Sequence, residues 1–215
     1  MFFSHKGARM LGDFVMLSVM GPHAGESNNQ IFKRKIDDVA KVGNTFWLVR
    51  SSRSRPNIVQ PFVTEALKHS AAVYCVFISP ASVGGAEETS SATKATRFSG
   101  HAERPDARDQ SAWSALPAGL GPVTGHLDGA AHALILDELQ LVHGQELSLW
   151  DWAEFGPAGL PIRTRQGSST LCAVRKNTSS HPDRMKSGTR SIVAIGRLAK
   201  PYSVWLDANK VHIAP

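Results

Sequence analysis

Cysteine is scarce in this chain of 215 residues: Cys75 and Cys172 are its only two, both inside apolar runs (Val73-Tyr74-Cys75-Val76-Phe77 and Leu171-Cys172-Ala173-Val174). A disulfide framework needs more cysteines than this, so the pair reads as buried thiols in a reducing, cytoplasmic setting. Long hydrophobic runs are also lacking, and nothing approaches the roughly eighteen consecutive apolar residues of a membrane-spanning helix, so no membrane is expected among the partners. The stretch Phe14-Val15-Met16-Leu17-Ser18-Val19-Met20 is short, follows Asp13 directly and precedes no A-x-A-like site. It reads as an N-terminal strand or short helix of the fold rather than as a signal peptide. Three catalytic and phosphate-binding signatures are missing as well: G-x-x-x-x-G-K-[ST], G-x-G-x-x-G and G-x-S-x-G. Without them, neither a nucleotide cofactor nor a nucleophile-elbow hydrolase is indicated, and no cofactor is expected.

What is present is ordinary globular material with an unusual distribution of charge. Hydrophobic content of 42% and charged content of 20% exclude the composition of a disordered chain. The length suits one sizeable core and would cramp a second. The formal net charge is +6. Between Pro161 and Lys200 nine basic residues (Arg163, Arg165, Arg175, Lys176, Arg184, Lys186, Arg190, Arg197, Lys200) face one acid, Asp183, a local net of +8, and everything before this stretch sums to −2. Charge gathered in this way marks a polyanion-binding surface, whereas generic solubilising charge is spread along a chain.

Along the chain, residues 1–30 read as an N-terminal arm and connector, ending in the turn-rich Gly21 to Asn29. Residues 31–215 read as a single α+β domain. Thr45 to Val49 is a β-branched and aromatic strand; Ile58 to His69 carries apolar residues at helical spacing; Ala71 to Ser79 is a second apolar run. Together they suggest a β-α-β element, with Pro61 either in the first turn of its helix or bending it. Residues 81–129, rich in Gly, Ser, Thr and Pro, read as a long surface excursion. Strand character returns at Ala131 to Val142, and Glu146 to Phe155 fits either strand or helix. Ser169 to Val174, Ser191 to Leu198 and Tyr202 to Leu206 read as three strands, with Lys200-Pro201 as the last turn. The expected architecture is a mostly antiparallel sheet or small partly open barrel, with one or two packed helices and a basic C-terminal hairpin.

The chemistry concentrates at two places. Arg175 to Arg190 (RKNTSSHPDRMKSGTR) interleaves Arg175, Lys176, Arg184, Lys186 and Arg190 with five Ser/Thr hydroxyls. Guanidinium forks, ammonium charges and hydroxyls are the groups that hold phosphates. Arg50, Arg53 and Arg55 leave the Thr45 strand and enter the following helix, where backbone N–H groups favour an anion; Arg163 and Arg165 precede the basic loop. Among the tryptophans, Trp47 and Trp205 lie in apolar strands and belong to packing. Trp113, in the excursion, and Trp150 or Trp152, beside Asp151, are candidates for stacking on bases. His126-x-Asp128 near His132 lacks a metal-ligand spacing, so no metal site is assigned. His181 in the basic loop is a candidate general acid or base. Asp137-Glu138 lacks the acid-x-lysine arm of many nucleases.

Thr45-Phe-Trp-Leu-Val-Arg-Ser51 resembles the opening strand of the PUA-like group of small β-barrels that read modified bases, which includes EVE and YTH domains. Ile192-Val-Ala-Ile-Gly-Arg-Leu-Ala-Lys-Pro-Tyr202 resembles a later barrel strand. Fewer than twenty residues carry the resemblance, which implies a fold and no site.

The functional expectation is binding of RNA or single-stranded DNA through phosphate contacts, alone or with other protein subunits of a nucleoprotein complex. Two alternatives are a small enzyme acting on nucleic acid or nucleotides through His181, or through His126 with Asp128, and a basic adaptor that docks on an acidic protein.

Overall fold

The computed structural model describes residues 11–20, 27–50, 59–79, 130–156, 162, 170–175 and 188–207. In chain order the elements are β1 (Phe14–Val19), α1 (Asn28–Val42), β2 (Thr45–Arg50), α2 (Val59–His69), β3 (Tyr74–Ile78), β4 (Ala130–Leu141), β5 (Glu146–Ser148), a 3-10 turn (Leu149–Asp151), β6 (Trp152–Glu154), β7 (Thr170–Arg175) and β8 (Thr189–Asp207). Among the described residues the class is mixed α/β content around a mostly sheet core with two helices. The excursion at residues 81–129 lies outside the described residues.

The strands form one sheet in the order β2-β4-β8-β3-β1-β7-β6, with β5 also paired to β8, and among the described residues the sheet does not close. Only β1 with β3 is a parallel pair; the other described pairings are antiparallel. The Phe14 strand is therefore an interior strand, flanked by β3 and β7. Following the directions across β4 and β8, β2 and β3 run antiparallel to each other, so the β2-α2-β3 unit is not a parallel crossover.

Two expectations for the C-terminal part are corrected. β7 and β8 do not pair: β3 and β1 lie between them, so the basic C-terminal hairpin is not formed by these strands. Ser191 to Leu206 is one continuous strand, and Lys200-Pro201, a cis peptide, lies within it. From Ser203 back to Leu198, β8 advances five residues while β4 advances two, from Leu134 to Leu136. The surplus of β8 is a bulge containing Pro201, whose missing N–H costs nothing where the ladder is already interrupted. Tyr202 there has φ 69°, a conformation side chains rarely adopt.

The alternation of a strand divides the core in two. Met16, Cys75, Phe77 and Cys172 face one side with Leu134, Leu136 and Ala194, under Phe32 of α1 and Val59, Phe62, Val63 and Ala66 of α2. Val15, Leu17, Val76 and Ala173 face the other, where Leu147, Leu149, Trp152 and Ile162 cover them. Both helices thus pack on one face, and the β5-to-β6 segment closes the other.

Helix α1 begins inside the segment assigned to the connector. Ser27 and Gln30 form a capping box, with the Gln30 N–H donating to Ser27 Oγ at 3.3 Å and the Ser27 N–H to Gln30 Oε1 at 2.8 Å. Gly43 ends the helix at φ 83°, its N–H donating to Val39 O at 2.9 Å. Lys35, buried on the same face as Phe32, donates from Nζ to the Phe46 carbonyl and lies 4.4 Å from the Phe46 ring centre. Thr45 Oγ1 donates to Asp38 at 3.1 Å, so α1 is tied to β2 by polar contacts as well as by packing.

Candidate nucleic-acid interface

Four of the nine basic residues between Pro161 and Lys200 have described side chains, and three of those are committed to the protein itself. Arg175, the last residue of β7, donates from Nη2 to Leu11 O at 3.1 Å and stands 3.4 Å from the Asp13 carboxylate. Its guanidinium carbon lies 4.8 Å from the centre of the Trp152 ring, which is buried. A cation over a desolvated indole with a carbonyl on its fork is a packing arrangement that fixes where β1 enters the sheet. Arg190 is 9% exposed and donates from Nη1 to Thr189 O at 2.8 Å, so it does not present its fork to solvent. Arg197 grips Asp137 with both arms, Nε to Oδ1 at 2.8 Å and Nη2 to Oδ2 at 3.1 Å, with Glu138 at 3.6 Å. Asp137, the residue by which β4 is locally longer than β8, is thereby turned toward an arginine, and this partner holds the Arg197 pKa above its usual value. Lys200, in the bulge, is exposed.

Trp150 and Trp152, two residues apart across the 3-10 turn, have opposite fates. Trp152 is 1% exposed and covered by Arg175. Trp150 is 45% exposed, and its indole lies against Gly188, where an added Cβ would come well under 3.0 Å from Nε1 and Cδ1. Arg175 and Gly188 bound the basic segment, Arg175 lying over Trp152 at the start of β6 and Gly188 against Trp150 in the 3-10 turn before it. The register places them at different levels of the sheet: the Arg175 N–H donates to Asp13 O at 2.7 Å, before β1, and the Ser79 N–H donates to Ser191 O at 2.9 Å, after β3.

Arg50 ends β2, at the register position opposite Ala131, and Arg53 and Arg55 lie outside the described residues. So do Arg163, Arg165, Lys176, Arg184, Lys186, Trp113, His126, Asp128 and His181. Ile162, immediately before Arg163, is buried in the second core cluster and its N–H donates to Trp152 O at 3.4 Å, which anchors the start of the basic stretch at the beginning of β6. Trp47 is in the helix-facing cluster, and Trp205 stands 4.7 Å from the ring of buried His132, so both pack as expected. Among the described residues no three His, Cys, Asp or Glu side chains gather where they could hold a metal ion. Also among them, no helix is long and apolar enough to cross a membrane.

Sequence reasoning missed the internal use of Arg175 and Arg190, which no one-dimensional pattern reports. It offered Trp150 or Trp152 without choosing between them, because strand alternation puts positions two apart on one face and only the 3-10 turn at Leu149–Asp151 parts them. No protein-family model, curated protein or solved structure matches this chain.

Proposed function

We propose that this protein binds nucleic acid, RNA or single-stranded DNA in preference to duplex, through phosphate contacts, alone or as a subunit of a nucleoprotein complex. The observation that carries the reading is the net +8 of residues 161–200 in a chain that sums to −2 before them. With Arg190 buried, and Arg175 and Arg197 partnered within the protein at partly exposed positions, the phosphate contacts fall to Arg163, Arg165, Lys176, Arg184 and Lys186. Arg50, Arg53 and Arg55 form a second cationic group between β2 and α2.

The test is a salt-titrated binding assay of the full chain against RNA, single-stranded DNA, duplex DNA and heparin, with product analysis of each nucleic acid. Tighter binding of single strands than of duplex, falling steeply with salt and leaving the strands intact, is the expected result. Cleavage abolished by His181→Ala or His126→Ala would replace the reading with the enzyme alternative. Absence of nucleic-acid binding in low salt, with retention on an acidic protein, would replace it with the adaptor.

A further inference from the structure

The structure assigns Trp150 a role that rests on the nucleic-acid reading and narrows it: its indole is a stacking platform for an unpaired nucleobase, set in position by Gly188. Four exposed large hydrophobic residues occur among the described positions, and Trp150 is the one aromatic among them. Its neighbours do not share its exposure. Leu149 on one side and Trp152 on the other are buried in the second core cluster, so the backbone that carries the indole is fixed at both ends.

The second observation is the fit against Gly188. That glycine is buried, begins the approach to β8, and occupies the space beside Nε1 and Cδ1 of Trp150 that any side chain would need. The indole is therefore located by packing on one side while nearly half of the residue faces water. A fixed aromatic surface loses little freedom when a base settles on it, and each base face offers the same apolar plane whatever its hydrogen-bonding edge. Asp151 adjoins Trp150 in the chain, and Lys186 and Arg184 precede Gly188 by two and four residues, so the basic segment leads directly into the glycine that holds the indole. Trp152 does not serve this role, since Arg175 already covers its ring. In a duplex the faces of the bases are occupied by their neighbours, so a platform of this kind selects single strands and tolerates any sequence.

The experiment measures binding of four labelled probes of equal length by fluorescence anisotropy: oligo(U), oligo(dT), an abasic deoxyribose-phosphate strand, and a duplex. The wild-type chain is expected to hold oligo(U) and oligo(dT) more tightly than the abasic strand. Trp150→Ala should weaken both by about 5- to 150-fold, to the level of the abasic strand, and leave the abasic and duplex affinities unchanged. Trp150→Phe should restore most of the loss. Gly188→Ala, by displacing the indole, should reproduce the loss, and unchanged melting of Trp150→Ala separates the effect from misfolding. Wild-type affinity for oligo(U) and oligo(dT) in Trp150→Ala, or an equal loss on the abasic strand, overturns the stacking role and leaves the phosphate reading intact. No binding of any probe by the wild-type chain in low salt overturns both.

Discussion

The rings of Trp47 and Phe77 meet edge to face at 4.7 Å, although β4 and β8 stand between their strands in the sheet. In a flat sheet three strand steps would separate them by about 14 Å. The contact exists because the β8 bulge at Leu198 to Ser203 lets the β4–β8 ribbon turn and carry β2 back toward the helices. Phe32 of α1 completes the cluster, 5.8 Å from Trp47 and 5.2 Å from Phe77.

Removal of either ring should therefore loosen the relation between the two parts of the sheet. Phe77→Ala, at a fully buried position, is expected to cost about 3–5 kcal/mol in urea unfolding. A double-mutant cycle with Trp47→Ala should return a coupling of about 0.5–1.5 kcal/mol. Strict additivity would show that the two rings do not meet in solution.

Arg175 and the loop lysines should behave differently although they belong to one charge run. Arg175→Ala loses the Leu11 carbonyl bond and the Trp152 stacking, so unfolding free energy should fall by about 1–3 kcal/mol. The triple variant Lys176→Ala, Arg184→Ala, Lys186→Ala should unfold within about 0.5 kcal/mol of wild type and bind single strands more weakly across all sequences. A stable Arg175→Ala protein that has lost binding would reverse the two assignments.

For about five phosphate contacts on a single strand, the slope of log K against log salt should be near −3.5. The five residues left for that task are Arg163, Arg165, Lys176, Arg184 and Lys186. A slope shallower than about −1 would remove counterion release, and the polyanion reading with it.

Burial pushes the Cys172 thiol up from 9.0 to about 12, and Cys75 higher still, with Cys172 adding to the effect. Both pKa values are raised on folding, so the unfolded chain releases these protons first as pH rises. The stability they contribute is full below about pH 8.5 and declines from there toward the folded values. Two results are expected: neither thiol is alkylated in the native protein at pH 8, and both react in denaturant. The stability advantage of wild type over Cys172→Ala should also shrink between pH 8 and pH 11. Rapid native labelling of one thiol would show that its strand opens.

The strands and helix from Thr45 to Ile78 were legible because each signal there is strong and local: β-branched and aromatic residues in β2, and Val59, Phe62, Val63 and Ala66 at helical spacing in α2. Helix α1 was hidden because Lys35 occupies a place in its inward stripe, between Phe32 and Ile36, where an apolar residue would have announced the pattern. The Ser27-x-x-Gln30 box and Gly43 were the readable clues. Pro201 reads as a turn in one dimension because the sequence shows its missing donor and not the bulge that makes the donor unnecessary. Sheet order was beyond reach, since β7 and β8 are successive in the chain yet stand apart by two strands. For the candidate site, the concentration of charge was plain in one dimension. Whether a guanidinium meets water or a carbonyl depends on neighbours as distant in sequence as Leu11 is from Arg175.

The position of β8 in chain order also bears on synthesis. It pairs with β4 and β5 along one edge and with β3 along the other, so among the described pairings β2 and β4 are hydrogen-bonded into the sheet with β3, β1 and β7 only through a strand made after all of them. A chain emerging from the ribosome can form α1, α2 and the β1–β3 and β2–β4 pairs early, but it leaves two apolar strand edges uncovered until the strand beginning at Thr189 arrives. Such edges recruit other chains. Nascent chains halted at Gly188 should accordingly stay sensitive to protease and bind holdase chaperones, and release of the remaining residues should end both.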